Sequence, residues 1–368
     1  MIAEEQRSHI IGSLQNMMQE NRIPGLVLGI YDYKRSTIIN LGKRHINQAD
    51  PIQIDDNFHL GSCCKPITAT LFAVLVEQNY FTWDAPLFRY LSSLVPDISS
   101  DYKNITLRQL FTCTAGLPPF IDDSEFDSLP PITGSSREQR LAFTQSILSK
   151  PAHTKPSNFT YSNASYAILG SLAEQKLNRD WSELLYEYIF KPLNITAGLG
   201  LPSLNNSNQP HGHCYKNQTN LHMNDIAKLP RDTEVVPYPN GQQYIHPILQ
   251  PAGDLHLSIP AYIKFLQMHL NSFMNTYTLI SPTLIRHMHT QAAEHSFGWT
   301  NSVIDKIPVS QVNGWGGAFY THTILSVGQN TGLTLATNTG HIQAVVACQK
   351  MIHSLFQTLD YAKEQLVY

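Results

Sequence analysis

Residues 58–77 read Phe-His-Leu-Gly-Ser-Cys-Cys-Lys-Pro-Ile-Thr-Ala-Thr-Leu-Phe-Ala-Val-Leu-Val-Glu, a β-like lead-in followed by the most apolar helical run of the chain. Ile67, Leu71, Val74 and Leu75 fall at helical spacing. Pro66 is tolerated because it lies in the first turn, where its missing N–H costs nothing. Ser62 therefore stands at the head of a buried helix, and Lys65 follows at i+3, on the same face and within reach of the hydroxyl. A serine hydroxyl is a poor nucleophile until a nearby base takes its proton. Burial disfavours the charged form of a lysine amine, which suits it to that task. The helix N-terminus also favours negative charge developing at the serine or at a substrate oxygen. The pattern alone is equally that of a plain N-cap serine. S-x-x-K recurs at Ser100-Asp101-Tyr102-Lys103, in a polar, loop-like stretch.

On the N-terminal side, residues 1–22 read as an amphipathic helix, with Ile10, Ile11, Leu14, Met17 and Met18 on one face. Two β-like runs, Gly25–Asp32 and Thr37–Leu41, flank a hairpin turn at Tyr33–Ser36. On the C-terminal side come short helices, clearest at Thr106–Cys113 and Ala164–Leu177, joined by loops such as Asp122–Ser136. A proline turn cluster marks Tyr238–Gly241. Beyond it, Tyr262–Leu270 reads as a helix, and Phe319–Val327 and Thr331–Asn338 read as strands about a Gln329-Asn330 turn. A last amphipathic helix runs from about Gln343 to Gln365. Strands and helices at both ends with a helical insert predict an α+β fold, a central antiparallel sheet flanked by helices plus a mostly helical second domain. The expected boundaries are 1–60 and 240–368 for a discontinuous sheet domain and 61–239 for the helical one, with the site in the cleft between them.

The chain has 368 residues, 42% hydrophobic and 14% charged, which is ample for a packed core and unlike a disordered segment. Its 25 basic and 28 acidic residues are well mixed, without a lysine or arginine run. That composition points away from nucleic acid and anionic membrane and towards a small-molecule partner. No apolar stretch reaches the roughly 18 residues needed to span a bilayer. The amphipathic start lacks the pattern of a secretory signal. The protein is expected to be cytoplasmic if Met1 is native, and periplasmic if a signal has been removed. Five scattered cysteines form no disulfide framework, and their odd count leans towards a reducing compartment. Oligomeric state leaves no mark in the sequence.

G-x-S-x-G, H-E-x-x-H, Walker and G-x-G-x-x-G patterns are all missing, so a hydrolase here must activate its nucleophile by other means. Tyr161-Ser162-Asn163 opens a second apolar helix. A tyrosine near a lysine can relay protons, and an asparagine amide can hold both a lysine and a substrate carbonyl. Y-x-N also occurs at residues 102–104 and 238–240, and the bland reading is that Ser162 or Asn163 caps a helix. Trp315-Gly316-Gly317-Ala318 precedes a strand. Its glycines would let a substrate lie along the strand edge, and a backbone N–H there could face an oxyanion. Taken alone it reads as a glycine turn beside a core tryptophan.

In order, these elements and their flanks resemble the serine β-lactamase and penicillin-binding superfamily, in its class C-like branch. The quoted nucleophile segment, Ile105-Thr-Leu-Arg-Gln-Leu-Phe-Thr-Cys-Thr-Ala-Gly-Leu-Pro118, Tyr161-Ser-Asn-Ala-Ser-Tyr-Ala-Ile-Leu-Gly170, Pro251-Ala-Gly-Asp-Leu-His-Leu-Ser258 and Phe297-Gly-Trp299 carry the likeness, which runs from about residue 4 to 366. The resemblance implies Ser62 as nucleophile, Lys65 and Tyr161 as the acid/base pair, and Asn163 as the orienting amide. It makes the N–H groups of Ser62 and Ala318 the oxyanion hole. It implies no metal and no cofactor.

Class C β-lactamases have K-T-G where this chain has Trp315-Gly316-Gly317, and many relatives have H-x-G. A tryptophan cannot hold a substrate carboxylate and offers an apolar wall instead. W-G-G in this place is similar to family VIII carboxylesterases of the same superfamily. Class C enzymes also carry a glutamine soon after the G-L-P segment, where Pro119-Phe120-Ile121 has no amide side chain. The expected activity is thus a serine hydrolase, a carboxylesterase on small esters. The alternatives are a class C-like β-lactamase or D-alanyl-D-alanine carboxypeptidase acting on an amide, and a non-catalytic penicillin-binding-like sensor. Cys63 and Cys64 read as small core residues, His211-Gly-His213-Cys214 fits no standard zinc spacing, and His287, His289 and His295 read as solvated surface.

Overall fold

The computed structural model describes residues 3–204, 206–221, 223–226, 228–239, 244–271, 279–290 and 295–364. Helices of 13 residues or more among them are α1 (Glu4–Glu20), α2 (Lys65–Glu77), α3 (Ser136–Leu148), α4 (Asn163–Leu177), α5 (Ile259–Asn271) and α6 (Ile342–Glu364). No described helix is long and apolar enough to cross a membrane. The final residue expected in the last helix, Gln365, lies outside the described range.

Seven described strands form one antiparallel sheet: β1 (Gly25–Tyr31), β2 (Ser36–Gly42), β3 (His295–Ser296), β4 (Trp299–Ile304), β5 (Ile307–Trp315), β6 (Tyr320–Ser326) and β7 (Thr331–Thr337). Their order is β2-β1-β7-β6-β5-β4-β3, so the N-terminal hairpin is completed by the last strand, with Leu26 opposite Thr337. Period-two alternation sorts each strand between two cores. Leu26, Leu28, Ile324, Leu333 and Leu335 face α1 and α6, where Ile10, Leu14, Cys348 and Ile352 meet them. Val27, Val312, Leu325 and Ala336 face the other way, towards Ile259, Tyr262 and Ile263 of α5 and the apolar body of α2. The expected α+β architecture with a central antiparallel sheet is the one observed.

Two elements were hidden in the sequence. The β4–β5 hairpin turns through Asp305 and Lys306, both with positive φ (47° and 70°), where a glycine or asparagine would ordinarily mark such a turn. Helix α3 starts at a capping box, in which Ser135 accepts from the Glu138 N–H and the Glu138 carboxylate answers the Ser135 N–H. The Asp122–Ser136 stretch, expected as loop, holds a short 3-10 turn at Asp123–Ser128. The Tyr238–Gly241 turn lies partly outside the described residues.

Helices α3 and α4 are tied by a buried ion pair. Arg140 donates to Glu174 at 2.5 and 3.0 Å, and both side chains are all but inaccessible. Arg140 also reaches the Pro247 carbonyl at 2.7 Å, and Glu174 accepts from the Trp181 N–H at 2.9 Å. Removing one partner strands the other charge in the core, so Glu174→Ala or Arg140→Met should cost about 3–5 kcal/mol, read as a shifted denaturant midpoint.

The structure corrects the surface reading of two histidines. His289 and His295 are buried, because the Pro282–Thr290 helix and β3 turn them inward against Trp299 and Tyr161. Burial pushes His213, His295 and His341 down to about 4, and His289 and His322 down to about 3. An unfolded histidine titrates near 6.5, so as pH falls through that value the unfolded chain takes up protons that the folded chain refuses. Stability from these groups is fully present above about pH 6.5 and is lost as pH falls towards about 4. Melting followed by circular dichroism at fixed ionic strength should show a flat midpoint above pH 7 and a steep fall between pH 6.5 and 4.

Candidate active site

Ser62 lies in a 3-10 turn, Gly61–Cys64, that runs straight into α2. Its hydroxyl caps nothing in the helix. Gly61 makes the turn possible twice over. Its φ of +52° is disfavoured for any side chain, and a Cβ there would stand 2.7 Å from the Gly314 carbonyl carbon and the Trp315 nitrogen. The turn therefore sits directly on the end of β5. Gly314 answers in kind, since a Cβ at that position would run into the Leu60 carbonyl.

The Lys65 side chain is 1% exposed, and three acceptor atoms surround its amine. It lies 3.0 Å from Ser62 Oγ, 2.7 Å from Asn163 Oδ1 and 2.9 Å from the Ala252 carbonyl oxygen. No carboxylate forms a salt bridge with it among the described residues. Tyr161 Oη stands 2.8 Å from Ser62 Oγ, so the serine oxygen is bracketed by amine and phenol. Lys65 Nζ also lies 5.0 and 5.3 Å from the ring centroids of Tyr161 and Tyr166.

Asn163 is aimed from its other end. Its amide nitrogen donates to the Phe120 carbonyl at 2.8 Å, which leaves Oδ1 for Lys65. Ser162 is the residue that caps α4, accepting from the Ser165 N–H, while its hydroxyl donates to the Pro118 carbonyl at 2.7 Å. Thus Ser162 anchors the helix and frees Asn163 for the site. The second S-x-x-K, at Ser100 and Lys103, is exposed surface.

The Trp315-Gly-Gly-Ala element closes the β5–β6 hairpin. The Trp315 indole N–H donates to the Gly340 carbonyl at 2.6 Å, and its ring packs partly on the α1–α6 core while bordering the cleft. Gly317 (φ +92°) offers its carbonyl to Gln218 at 3.1 Å. The N–H groups of Ala318 and Phe319 both donate to the Tyr244 hydroxyl oxygen, each at 3.2 Å. Two adjacent backbone donors therefore converge on one oxygen, and that oxygen belongs to the protein. A Cβ at Gly316 would stand 2.6 Å from the same hydroxyl.

The structure thus brings Ser62, Lys65, Tyr161 and Asn163 into direct contact and leaves Ala318 N–H on Tyr244. Sequence reasoning missed the Ala252 carbonyl, Tyr244 and His295. The Pro251–Ser258 block was a signal for the first, although a backbone acceptor has no letter of its own. His295 sits 5.8 Å from the Tyr161 ring, and its Nε2 has no hydrogen-bond partner among the described residues. Cys63 and Cys64 are wholly buried, and burial pushes both thiols well up and away from reactivity. His213 is a structural tie, donating from Nδ1 to the Asn338 carbonyl at 2.7 Å and accepting from the Ile46 N–H at 3.1 Å.

A cleft of about 480 Å³ opens beside Asn163, walled by Phe120, Phe126, Tyr238, Tyr244, Leu249 and Trp315. None of its described lining residues is lysine or arginine, and Asp122 and Asp127 lie along it. A larger groove, about 780 Å³, runs between α1 and α6 on the opposite face of the sheet and holds no part of the Ser62 cluster. The polar cluster, not the larger volume, marks the site.

Comparison with known proteins bears on the family and the fold. A β-lactamase from Pseudomonas fluorescens is 26% identical over 193 residues, 52% of this chain and 50% of that protein. The aligned part thus spans about half the length of such relatives. Penicillin-binding protein 4 of Amycolatopsis lactamdurans is 21% identical over 87% of this chain and 82% of its own. Among solved structures, the D-amino acid amidase of Ochrobactrum anthropi superposes with a TM-score of 0.75 at 17% identity, over 97% of this chain and 99% of that one. The family model described as Beta-lactamase matches residues 11–349, and by that span the chain belongs to the β-lactamase family.

Proposed function

We propose that this chain is a serine hydrolase that works through an acyl-enzyme on Ser62 and acts on neutral carboxylic esters. One observation carries the reading: Ser62 Oγ lies 3.0 Å from Lys65 Nζ and 2.8 Å from Tyr161 Oη. Two of the three partners of the lysine, the Asn163 amide oxygen and the Ala252 carbonyl, only accept hydrogen bonds. A neutral amine must spend its two N–H bonds on them, and its lone pair is then left facing the serine O–H. In that form the amine accepts the Ser62 proton.

The steps follow. Ser62 Oγ bonds to the ester carbonyl carbon while its proton passes to Lys65, and the carbonyl oxygen takes the electron pair. The Ser62 N–H supports that oxygen. The Ala318 N–H joins it once the carbonyl oxygen replaces the Tyr244 hydroxyl. As the tetrahedral intermediate collapses, the ester C–O bond breaks and Tyr161 protonates the leaving alkoxide, drawing its own replacement from Lys65. Water then attacks the acyl carbon, its proton passing through Tyr161 to Lys65; the Ser62 Oγ–C bond breaks, Ser62 takes the proton back from Lys65, and the acid departs. Asn163 holds the lysine throughout.

The ester preference rests on the cleft. A β-lactam or a D-Ala terminus carries a carboxylate, which a site recognises with a cation, and the described lining has none. The rival reading is a β-lactamase or a D-alanyl carboxypeptidase, and likeness to the D-amino acid amidase keeps amide substrates in view. Side-by-side turnover of a p-nitrophenyl ester, a chromogenic cephalosporin and a D-Ala-D-Ala peptide separates these, with the ester expected to lead by at least about tenfold in kcat/KM. A leading cephalosporin or D-Ala peptide would reverse the substrate assignment. A fluorophosphonate should add once by intact mass and not at all to Ser62→Ala, whose kcat should fall by about 10³-fold or more. Tyr161→Phe, which keeps the ring and loses the proton, should lose about 10²–10⁴-fold in kcat. Tyr244→Phe empties the Ala318 donor and should leave acylation at or above the parent rate. A large loss there would make the Tyr244 hydroxyl part of the oxyanion machinery.

A further inference from the structure

Beneath the nucleophile runs a second polar chain that the mechanism above does not use. Asp254 Oδ1 lies 3.2 Å from His59 Nε2, and His59 Nδ1 accepts the Gly61 N–H at 3.1 Å. Both side chains are buried, His59 at 1% and Asp254 at 4% exposure. Their hydrogen bonds define the imidazole tautomer. Nδ1 must be bare to accept from Gly61, so the proton is on Nε2, pointing at the carboxylate. The same carboxylate is held by the Gly200 N–H at 3.1 Å and by Gln250 at 3.3 Å. The imidazole is packed edge-on to the Tyr244 ring at 4.7 Å, and Thr321 holds the His59 carbonyl at 3.2 Å. Nothing in this chain is loose.

Burying a carboxylate with a neutral imidazole costs desolvation that a hydrophobic pair would not, so the site of its hydrogen bond matters. That site is the amide of Gly61, the left-handed residue whose conformation sets the direction of the Gly61–Ser62 peptide. The segment carrying Asp254 also supplies the Ala252 carbonyl to Lys65, the Pro251 carbonyl to Thr68 at 2.8 Å and the Leu255 carbonyl to the Leu60 N–H at 2.8 Å. One short stretch, residues 251–255, thus grips the base, the Leu60 backbone before the nucleophile and the Thr68 side chain after it.

We infer that Asp254 and His59 are a positioning pair for acyl transfer, orienting the Gly61–Ser62 backbone so that the Ser62 hydroxyl meets Lys65 and the Ser62 N–H meets the developing oxyanion. The inference rests on the acyl-enzyme reading of Ser62. Neither residue touches substrate; the carboxylate fixes the tautomer, the imidazole fixes the amide, and the amide aims the serine.

The test compares the full chain with Asp254→Ala, His59→Ala and His59→Asn in ester hydrolysis, with fluorophosphonate labelling of Ser62 and hydrogen exchange of the peptide spanning residues 58–64. The asparagine can place its Oδ1 where Nδ1 stood and accept from Gly61, while breaking the link to Asp254. Asp254→Ala and His59→Ala should lower kcat and the labelling rate by about 10²-fold with KM within about threefold, and His59→Asn should recover at least about tenfold over His59→Ala. Exchange at Gly61 should quicken in both alanine variants. Alanine variants that keep kcat within about threefold, a loss carried by KM, or an asparagine no better than alanine would each overturn the pairing. If an alanine variant fails to fold, His59→Asn decides by the same labelling rate and exchange. Absence of any Ser62 adduct in the parent chain would instead sink the acyl-enzyme reading, and the exchange comparison would still judge whether the pair orders Gly61.

Discussion

The amine of Lys65 is the point on which the structure depends. An ammonium or amine taken out of water must be met by acceptors or it destabilises the fold. Here the acceptors come from three separate places, Ser62 one turn away, Asn163 on α4 and Ala252, which is 187 residues distant. No one of these segments could satisfy the amine alone. Bringing them together requires α2, α4 and the 250–255 turn to pack on one another, with Gly170 of α4 set directly against Pro251, and the Ser62 turn then rests against the end of β5.

Much of the surrounding backbone serves that convergence. Phe120 adopts a left-handed φ of +49°, a conformation costing about 1–3 kcal/mol in a bulky residue. Its carbonyl is the group that orients the Asn163 amide. Cys113 (φ +53°) offers its carbonyl to the Thr160 N–H at 2.9 Å, just before Tyr161, and Phe297 (φ +52°) donates its N–H to the Phe111 carbonyl. Two left-handed residues, Cys113 and Phe120, thus supply the carbonyls that hold the Thr160–Asn163 segment. Further out, the Arg140–Glu174 pair holds α3 to α4 and, through Arg140, fixes the Pro247 carbonyl and Gln250 ahead of the 251–255 turn. The charge is buried three helical turns from the chemistry, yet its contacts lead back to the residue pair that supports Lys65.

Electrostatically the cleft is unlike one built for anions. Aromatic and aliphatic side chains share its described walls with polar ones, and its acidic members are carboxylates with no lysine or arginine beside them. Trp315 contributes a ring edge while its polar nitrogen is turned away to Gly340. The N–H groups of Ala318 and Phe319 stand just behind that wall, and the Tyr244 phenol, which lines it, satisfies both. A donor pair kept satisfied by a neutral hydroxyl avoids the cost of unpaired buried N–H groups.

The sequence by itself determined the local parts. Apolar spacing marked α1, α2, α4, α5 and α6 and the strands at both ends, because periods of two and 3.6 are properties of the chain. It also paired Ser62 with Lys65, since i+3 proximity follows from helical geometry without any tertiary contact. The β4–β5 hairpin escaped because Asp305 and Lys306 carry no turn signature, and α3 escaped because its apolar face is sparse and only its capping box announces it. What tertiary structure alone decided was everything that meets across long separations. Of three Y-x-N triplets and two S-x-x-K turns within the described residues, it brought together the pair at Ser62 and Tyr161 and left Ser100 in solvent. It turned His289 and His295 inward, and it enlisted the carbonyls of Ala252 and Phe120, which every residue possesses and no sequence pattern can distinguish. The Ser62 hydroxyl is thus a local fact of the sequence; its environment is a property of the fold, because backbone acceptors and buried neighbours exist only once the chain has packed.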